Sequence, residues 1–118
     1  MGYQPLLLGN VILADKVRKV TDLFSRSKGL RFSRRLKQGE AIILESPVEG
    51  VFETTIDMFF VFFPLDILWL DTDKRVVDKA ENVKPFTPFL TPARPAKYVV
   101  ELPRFMGRLV KVGDSLSF

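Results

Sequence analysis

Apolar residues come in short runs separated by turn-forming residues along most of this chain, a pattern that predicts strands. Val11-Ile12-Leu13-Ala14 reads as a strand ending at a turn over Asp15-Lys16, and Val17 to Val20 continues as strand or leads into a helix. Thr21 then caps a short helix over Asp22 to Lys28. An acid stands in its first turn, bases in its last, and Gly29 sits where the residue after a helix needs a positive φ. Arg34 to Gly39 forms a basic turn, Ala41 to Glu45 an apolar strand, Ser46 to Gly50 a loop, and Val51 to Thr55 an alternating strand. Ile56 to Phe63 and Leu65 to Leu70 are apolar runs hinged at Pro64. Both faces of the first run are apolar, so as a strand it must be covered on both sides. Beyond it come a turn at Asp71 to Lys74 and a strand over Arg75 to Lys79. A proline-punctuated loop follows, then a strand over Lys97 to Leu102, and a closing hairpin pairs Leu109 to Val112 with Leu116 to Phe118. The pattern predicts a mainly β domain spanning residues 1–118, a compact β-sandwich or barrel with one short N-terminal helix.

Composition removes chemistry more than it supplies any. The chain has no cysteine and no histidine, which excludes thiolate sites, zinc hydrolases and Ser-His-Asp hydrolases. Carboxylate, Lys or Tyr chemistry remains open, as does carboxylate-bound Mg²⁺ or Ca²⁺. The N-terminal apolar run of three residues is too short for a secretion signal. Leu6 also replaces the hydroxyl residue that a Met-Gly myristoylation motif requires. No run reaches the ~20 apolar residues of a membrane span, so the expected location is cytoplasmic. Charge is uneven: Lys16 to Lys37 holds nine bases against Asp22 alone, a balance of +8, within a net charge of +4.

Four words of sequence carry a resemblance. Gly29-Leu30-Arg31-Phe32, Met58 running into Pro64-Leu65-Asp66, Pro95 to Leu102, and Gly113-Asp114 follow one another at suitable spacing. Together they make the chain similar to the domain of unknown function 192 family of small prokaryotic proteins, and closer to its archaeal members. That resemblance implies a jelly-roll-like β-sandwich with a short helix and no established activity. This chain departs from the common pattern at Asp57 to Val61, where relatives carry Trp-Met-Lys-Asn-Thr, and at Arg31, where they carry Met.

Asp66 is the leading candidate for a site. It shares a strand face with Leu68 and Leu70 inside an apolar run, so its carboxylate needs a partner: Arg26, Arg31, or backbone N–H groups near the Pro64 bend. The structural reading is a pair that fixes register. The functional reading is a pocket carboxylate lining a ligand site with Tyr98 and Glu101. Strand alternation is read as placing Glu101 in water, with Val99 on the opposite face. Asp71-x-Asp73 reads as a turn, because it lacks the Gly and Glu of a calcium loop. The basic stretch offers only Phe24 and Phe32 as stacking residues, so nucleic acid ranks last among partners. The expected function is a non-catalytic binding domain with a cleft between the Asp66 strand and the Pro-rich loop, its candidate residues being Arg26, Arg31, Asp57, Asp66, Tyr98 and Glu101. Some Phe should lie exposed at a groove or an oligomer contact. A carboxylate enzyme pairing Asp57 with Asp66 stands second, and nucleic-acid binding through residues 16–37 third. No cofactor, metal or membrane is expected; the partners are a small molecule or further copies of the chain.

Overall fold

The computed structural model describes residues 4–118, apart from the side chains of residues 23–25. Its elements are β1 (Leu6–Leu8), β2 (Val11–Ala14), β3 (Lys16–Val20), α1 (Leu23–Lys28), β4 (Glu40–Gly50), β5 (Leu65–Leu70), β6 (Val76–Val83), β7 (Ala96–Pro103) and β8 (Leu116–Ser117). Two 3₁₀ turns, Phe52–Thr54 and Met106–Leu109, complete them. The strands form two open sheets, β2-β1-β8 and β3-β4-β7-β5-β6, and no barrel closes. β3 pairs with β4 in parallel; the other pairings between named strands are antiparallel. The Met1-Gly2 reading falls outside the described residues.

The large sheet is covered on both faces, which is why all six residues of β5 are buried. One face packs against the small sheet through Leu6, Leu13 and Leu116 on Ile43, Leu68 and Val100. The other face, bearing Ile42, Leu44, Ile67, Trp69 and Val99, lies under a layer of loops anchored by Met58, Val61 and Phe63. Trp69 crosses into that layer, its indole N–H donating to the Thr54 carbonyl at 2.8 Å.

Several expected elements change form, each for a local reason. The predicted strand over Val51 to Thr55 is a 3₁₀ turn, because the Thr54 and Thr55 hydroxyls donate to the Gly50 and Val51 carbonyls at 2.7 and 2.9 Å. Ile56 to Phe63 is not a strand sealed on both faces. The Asp57 carboxylate accepts the Phe59 N–H, Val61 N–H turns back to the Met58 carbonyl, and only Ile56 bridges, to Leu90. Met58, Val61 and Phe63 are buried while Phe59, Phe60 and Phe62 are exposed. β4 runs on through the predicted Ser46 to Gly50 loop, with a register shift in its pairing to β7 that accommodates Pro47. The closing hairpin is replaced: β8 pairs with β1, a strand that the apolar pattern did not predict. α1 begins at Leu23, one residue later than a Thr21 cap implies, and the Asp22 carbonyl accepts the Arg26 N–H at 3.0 Å. Gly29 has the expected positive φ, +49°.

Candidate functional site

The register of the large sheet sorts the candidate residues. Asp66 pairs with Leu102, and Glu101 pairs with Ile42 and Ile67, so the two carboxylates point to opposite faces of the sheet. Tyr98 joins Asp66 on the face toward the small sheet, where its ring meets Phe118 edge-on. No cleft therefore forms between Asp66 and the Pro-rich loop, which covers the other face. Asp66 is fully buried and saturated by two backbone donors, Asn82 N–H and Gly107 N–H, each at 2.7 Å. Neither Arg26 nor Arg31 reaches it, and its donors come from the end of β6 and the Met106–Leu109 turn rather than the Pro64 bend.

The other four candidates, Arg26, Arg31, Asp57 and Glu101, line one cavity of about 250 Å³ beneath the end of α1. Thr54, Thr55, Ser27 and Ser46 add hydroxyls to its wall. The two threonines escaped the sequence reading because they were assigned to a strand. The available signal was a pair of hydroxyl residues four positions after Gly50 and Val51, the spacing at which they capture backbone carbonyls.

Arg31 closes one side of the cavity. Its guanidinium grips the Asp57 carboxylate through two bonds of 2.6 and 2.9 Å, and also donates to the Phe59 and Ser27 carbonyls. A charge at this position thus ties the helix end to the loop layer. Hydrogen bonding from Arg31 holds the Asp57 carboxyl below its usual range. Arg31→Ala and Asp57→Ala are each expected to destabilise the fold by ~1 kcal/mol, with a coupling of about that size in a double-mutant cycle. Urea unfolding measures it, and strictly additive losses would show that the bridge does not hold the two segments together.

Glu101 is the unusual member of the site. The reading that sets it in water fails because β7 lies between β4 and β5 with both faces covered, and a two-residue period puts Val99 and Glu101 on the same face. Only 5% of Glu101 is exposed, and its Oε1 has no hydrogen-bond partner among the described residues; neither does the buried Arg26 Nε. Burial pushes the Glu101 carboxyl up to about 7, against the pull of the Arg31 and Arg18 cations. An acceptor and a donor thus stand unsatisfied at one cavity, each a liability of roughly 1–3 kcal/mol until something pairs with it. Among the described residues no three acids gather as a metal site would require, and no helix is long and apolar enough to cross a membrane.

A two-sheet β-domain with a polar cavity under its loop layer is the class that this fold and site define. The chain belongs to the DUF192 family, described as "Uncharacterized ACR", whose profile matches residues 9–118. Its similarity runs to archaeal UPF0127 proteins. It is 30% identical over 111 residues to that of Pyrococcus horikoshii, covering 92% of each chain. It is 30% identical over 105 residues to that of Thermococcus kodakarensis, covering 87% of this chain and 64% of the relative, so it spans a little under two thirds of that protein. A crystal structure of a protein of unknown function from Novosphingobium aromaticivorans superposes with a TM-score of 0.80 at 26% identity, over 86% of this chain and 74% of the other.

Proposed function

We propose that this chain is a non-catalytic binding domain that takes a small polar ligand in the Glu101 cavity. The observation carrying the reading is the unpartnered Glu101 Oε1, buried beside hydroxyls and an unpartnered Arg26 Nε. A ligand that offers a donor to the carboxylate and an acceptor to the guanidinium would satisfy both, which selects small hydroxylated or amide-bearing compounds over apolar ones. The cavity volume limits the ligand to a few heavy atoms beyond its polar groups. Residues 1–118 are taken as one domain, and a cytoplasmic setting belongs to the same proposal, in keeping with a cysteine-free composition.

Thermal shift with a panel of polyols, hydroxy acids and amino acids tests the reading. A compound at 100 times its dissociation constant adds about 2.7 kcal/mol to the native state, and Glu101→Leu is expected to abolish that gain. A crystal structure in which Glu101 Oε1 accepts a bond from a protein N–H would remove the basis of the proposal. The carboxylate-enzyme reading keeps one supporting observation: Asp57 and Glu101 share the cavity with titrations driven in opposite directions. Its acid pair is then Asp57 with Glu101, not Asp57 with Asp66. Turnover of a bound compound by the parent chain, lost in Glu101→Gln, would favour that reading over simple binding.

A further inference from the structure

We propose that a second surface, separate from the Glu101 cavity, binds single-stranded nucleic acid by stacking bases on exposed phenylalanines beside a basic groove. Loops from three parts of the chain bring Phe32, Phe60, Phe62 and Phe86 into one patch. Phe32 stacks on Phe60 with centroids 4.9 Å apart, and Phe86 meets Phe60 and Phe62 edge-on at 5.7 and 5.1 Å. All four are exposed, Phe32 by 72%. Three of them, Phe32, Phe60 and Phe86, sit at φ values of 58°, 60° and 62°, the left-handed region that bulky side chains avoid. Backbone bonds hold two of these turns in place, Phe32 N–H to the Phe60 carbonyl at 2.8 Å and Phe86 N–H to the Met58 carbonyl at 2.9 Å. A fold that keeps strained backbone in order to display aromatic rings points to a use for the rings.

The groove lies next to this patch and shares a chain segment with it. It encloses about 610 Å³ and is lined by Lys16, Arg18, Arg34 and Glu40 among apolar residues such as Val17 and Ile42; Glu40 holds Arg34, which leaves Lys16 and Arg18 as the cations open to a ligand. The loop that supplies Ser33 and Arg34 to the groove also carries Phe32. Of the nine bases between Lys16 and Lys37, Lys19, Arg31 and Arg34 pair with Glu45, Asp57 and Glu40. Lys16 and Arg18, the other cations of the groove, pair with none of Glu40, Glu45 and Asp57. To Phe32 of the basic stretch the fold adds three rings from outside it, Phe60, Phe62 and Phe86; the Phe24 side chain lies outside the described residues.

Unpaired cations along a groove select a polyanion, and an exposed ring with one face on its neighbour leaves the other face for a base. A duplex hides its base faces, so the partner is single-stranded. The unpaired Lys16 and Arg18 oppose pairing of this face with the same face of a second copy.

Fluorescence anisotropy of the full chain with a labelled oligo-dT and oligo-U tests this, against a duplex of equal length and anionic phosphatidylglycerol vesicles. The expected result is tighter binding to the single strands than to the duplex, with log affinity falling linearly in log salt. Phe32→Ala should weaken binding by about tenfold. The exposed Phe52→Ala, whose ring joins no aromatic contact in the patch, should change nothing. Lys16→Ala with Arg18→Ala should flatten the salt slope by about 0.7 for each phosphate that is no longer neutralised. Circular dichroism confirms that each variant remains folded. Absence of binding at low salt, equal affinity for duplex and single strand, or indifference to Phe32→Ala would each overturn the proposal. Capture by vesicles without oligonucleotide binding, or a patch buried in a dimer, would overturn it too.

Discussion

Glu101→Gln is expected to flatten the pH dependence of stability, so that the parent chain loses about 3 kcal/mol relative to the variant between pH 4.5 and 7. Below the unfolded value of 4.5 the carboxyl is protonated in both states and contributes no slope. Above it the unfolded chain releases the proton while the folded chain keeps it up to about pH 7. Folding then carries a bound proton, and stability falls as pH rises across that window. The penalty is complete once pH passes the folded value, because the native state must then hold a charge that lacks a partner on Oε1. Gln keeps the shape and removes the titration. Its own amide cost shifts the curve vertically without giving it slope. Urea unfolding across the range, read as the difference between the two proteins, isolates this group from Asp57, whose carboxyl titrates below its usual range. A flat difference would mean that Glu101 is already neutralised in the fold, and the ligand proposal would lose its footing with it. Arg31 moderates the effect, since its cation pulls the Glu101 carboxyl down. Arg31→Ala should therefore carry the fall to higher pH and deepen it.

Local pattern made the strands legible wherever a strand was paired in a way that local pattern controls. β2, β5, β7 and the α1–Gly29 stop were readable from apolar runs and capping residues. The Phe-rich segment was not, because hydrophobicity of both faces is equally consistent with a sealed strand and with turns that bury every second or third residue. What decided between them was the Asp57 side chain capturing the Phe59 N–H, a bond that shows in sequence only as an Asp two residues before the donor. The site was half legible for a related reason. Arg26, Arg31, Asp57 and Glu101 met because the loop layer folds onto one face of the large sheet, and residue type marked all four. Separating Asp66 and Tyr98 from them required only the parity of neighbouring strands, Asp66 against Leu102 and Glu101 against Ile67. That parity depends on which strands are neighbours. β3 lies parallel beside β4, and β7 divides β4 from β5, arrangements that no local run of residues encodes.

Asp66→Ala is expected to cost about 2–4 kcal/mol, a larger loss than breaking the Arg31–Asp57 bridge although Asp66 touches no cation. The carboxylate ties together the backbone of two segments that Lys79 also links, its Nζ donating from β6 to the Gly107 and Val110 carbonyls. Oδ1 accepts from Asn82, which stands at a φ of 51° near the end of β6, and Oδ2 from Gly107 in the 3₁₀ turn after β7. Removing the side chain loses both bonds and strands the buried Gly107 N–H, at roughly 1–3 kcal/mol for that group, whereas the N–H of the exposed Asn82 can turn to water. Asp66→Asn should recover only part of the loss, because its carbonyl oxygen can accept from one N–H while its NH2, itself a donor, cannot accept from the other. Gly107 shows how closely the turn approaches: a Cβ there would lie 3.0 Å from Oδ2 and 3.1 Å from the Asp66 Cβ, so Gly107→Ala must push the turn away and should be destabilising as well. Hydrogen exchange supplies the decisive measurement. In Asp66→Ala the Asn82 and Gly107 amides should lose protection beyond the global loss, whereas β4 amides should track global stability alone. An Asp66→Ala chain within about 1 kcal/mol of the parent, with those amides still protected, would mean that the clamp is held by packing of the turn and not by the carboxylate.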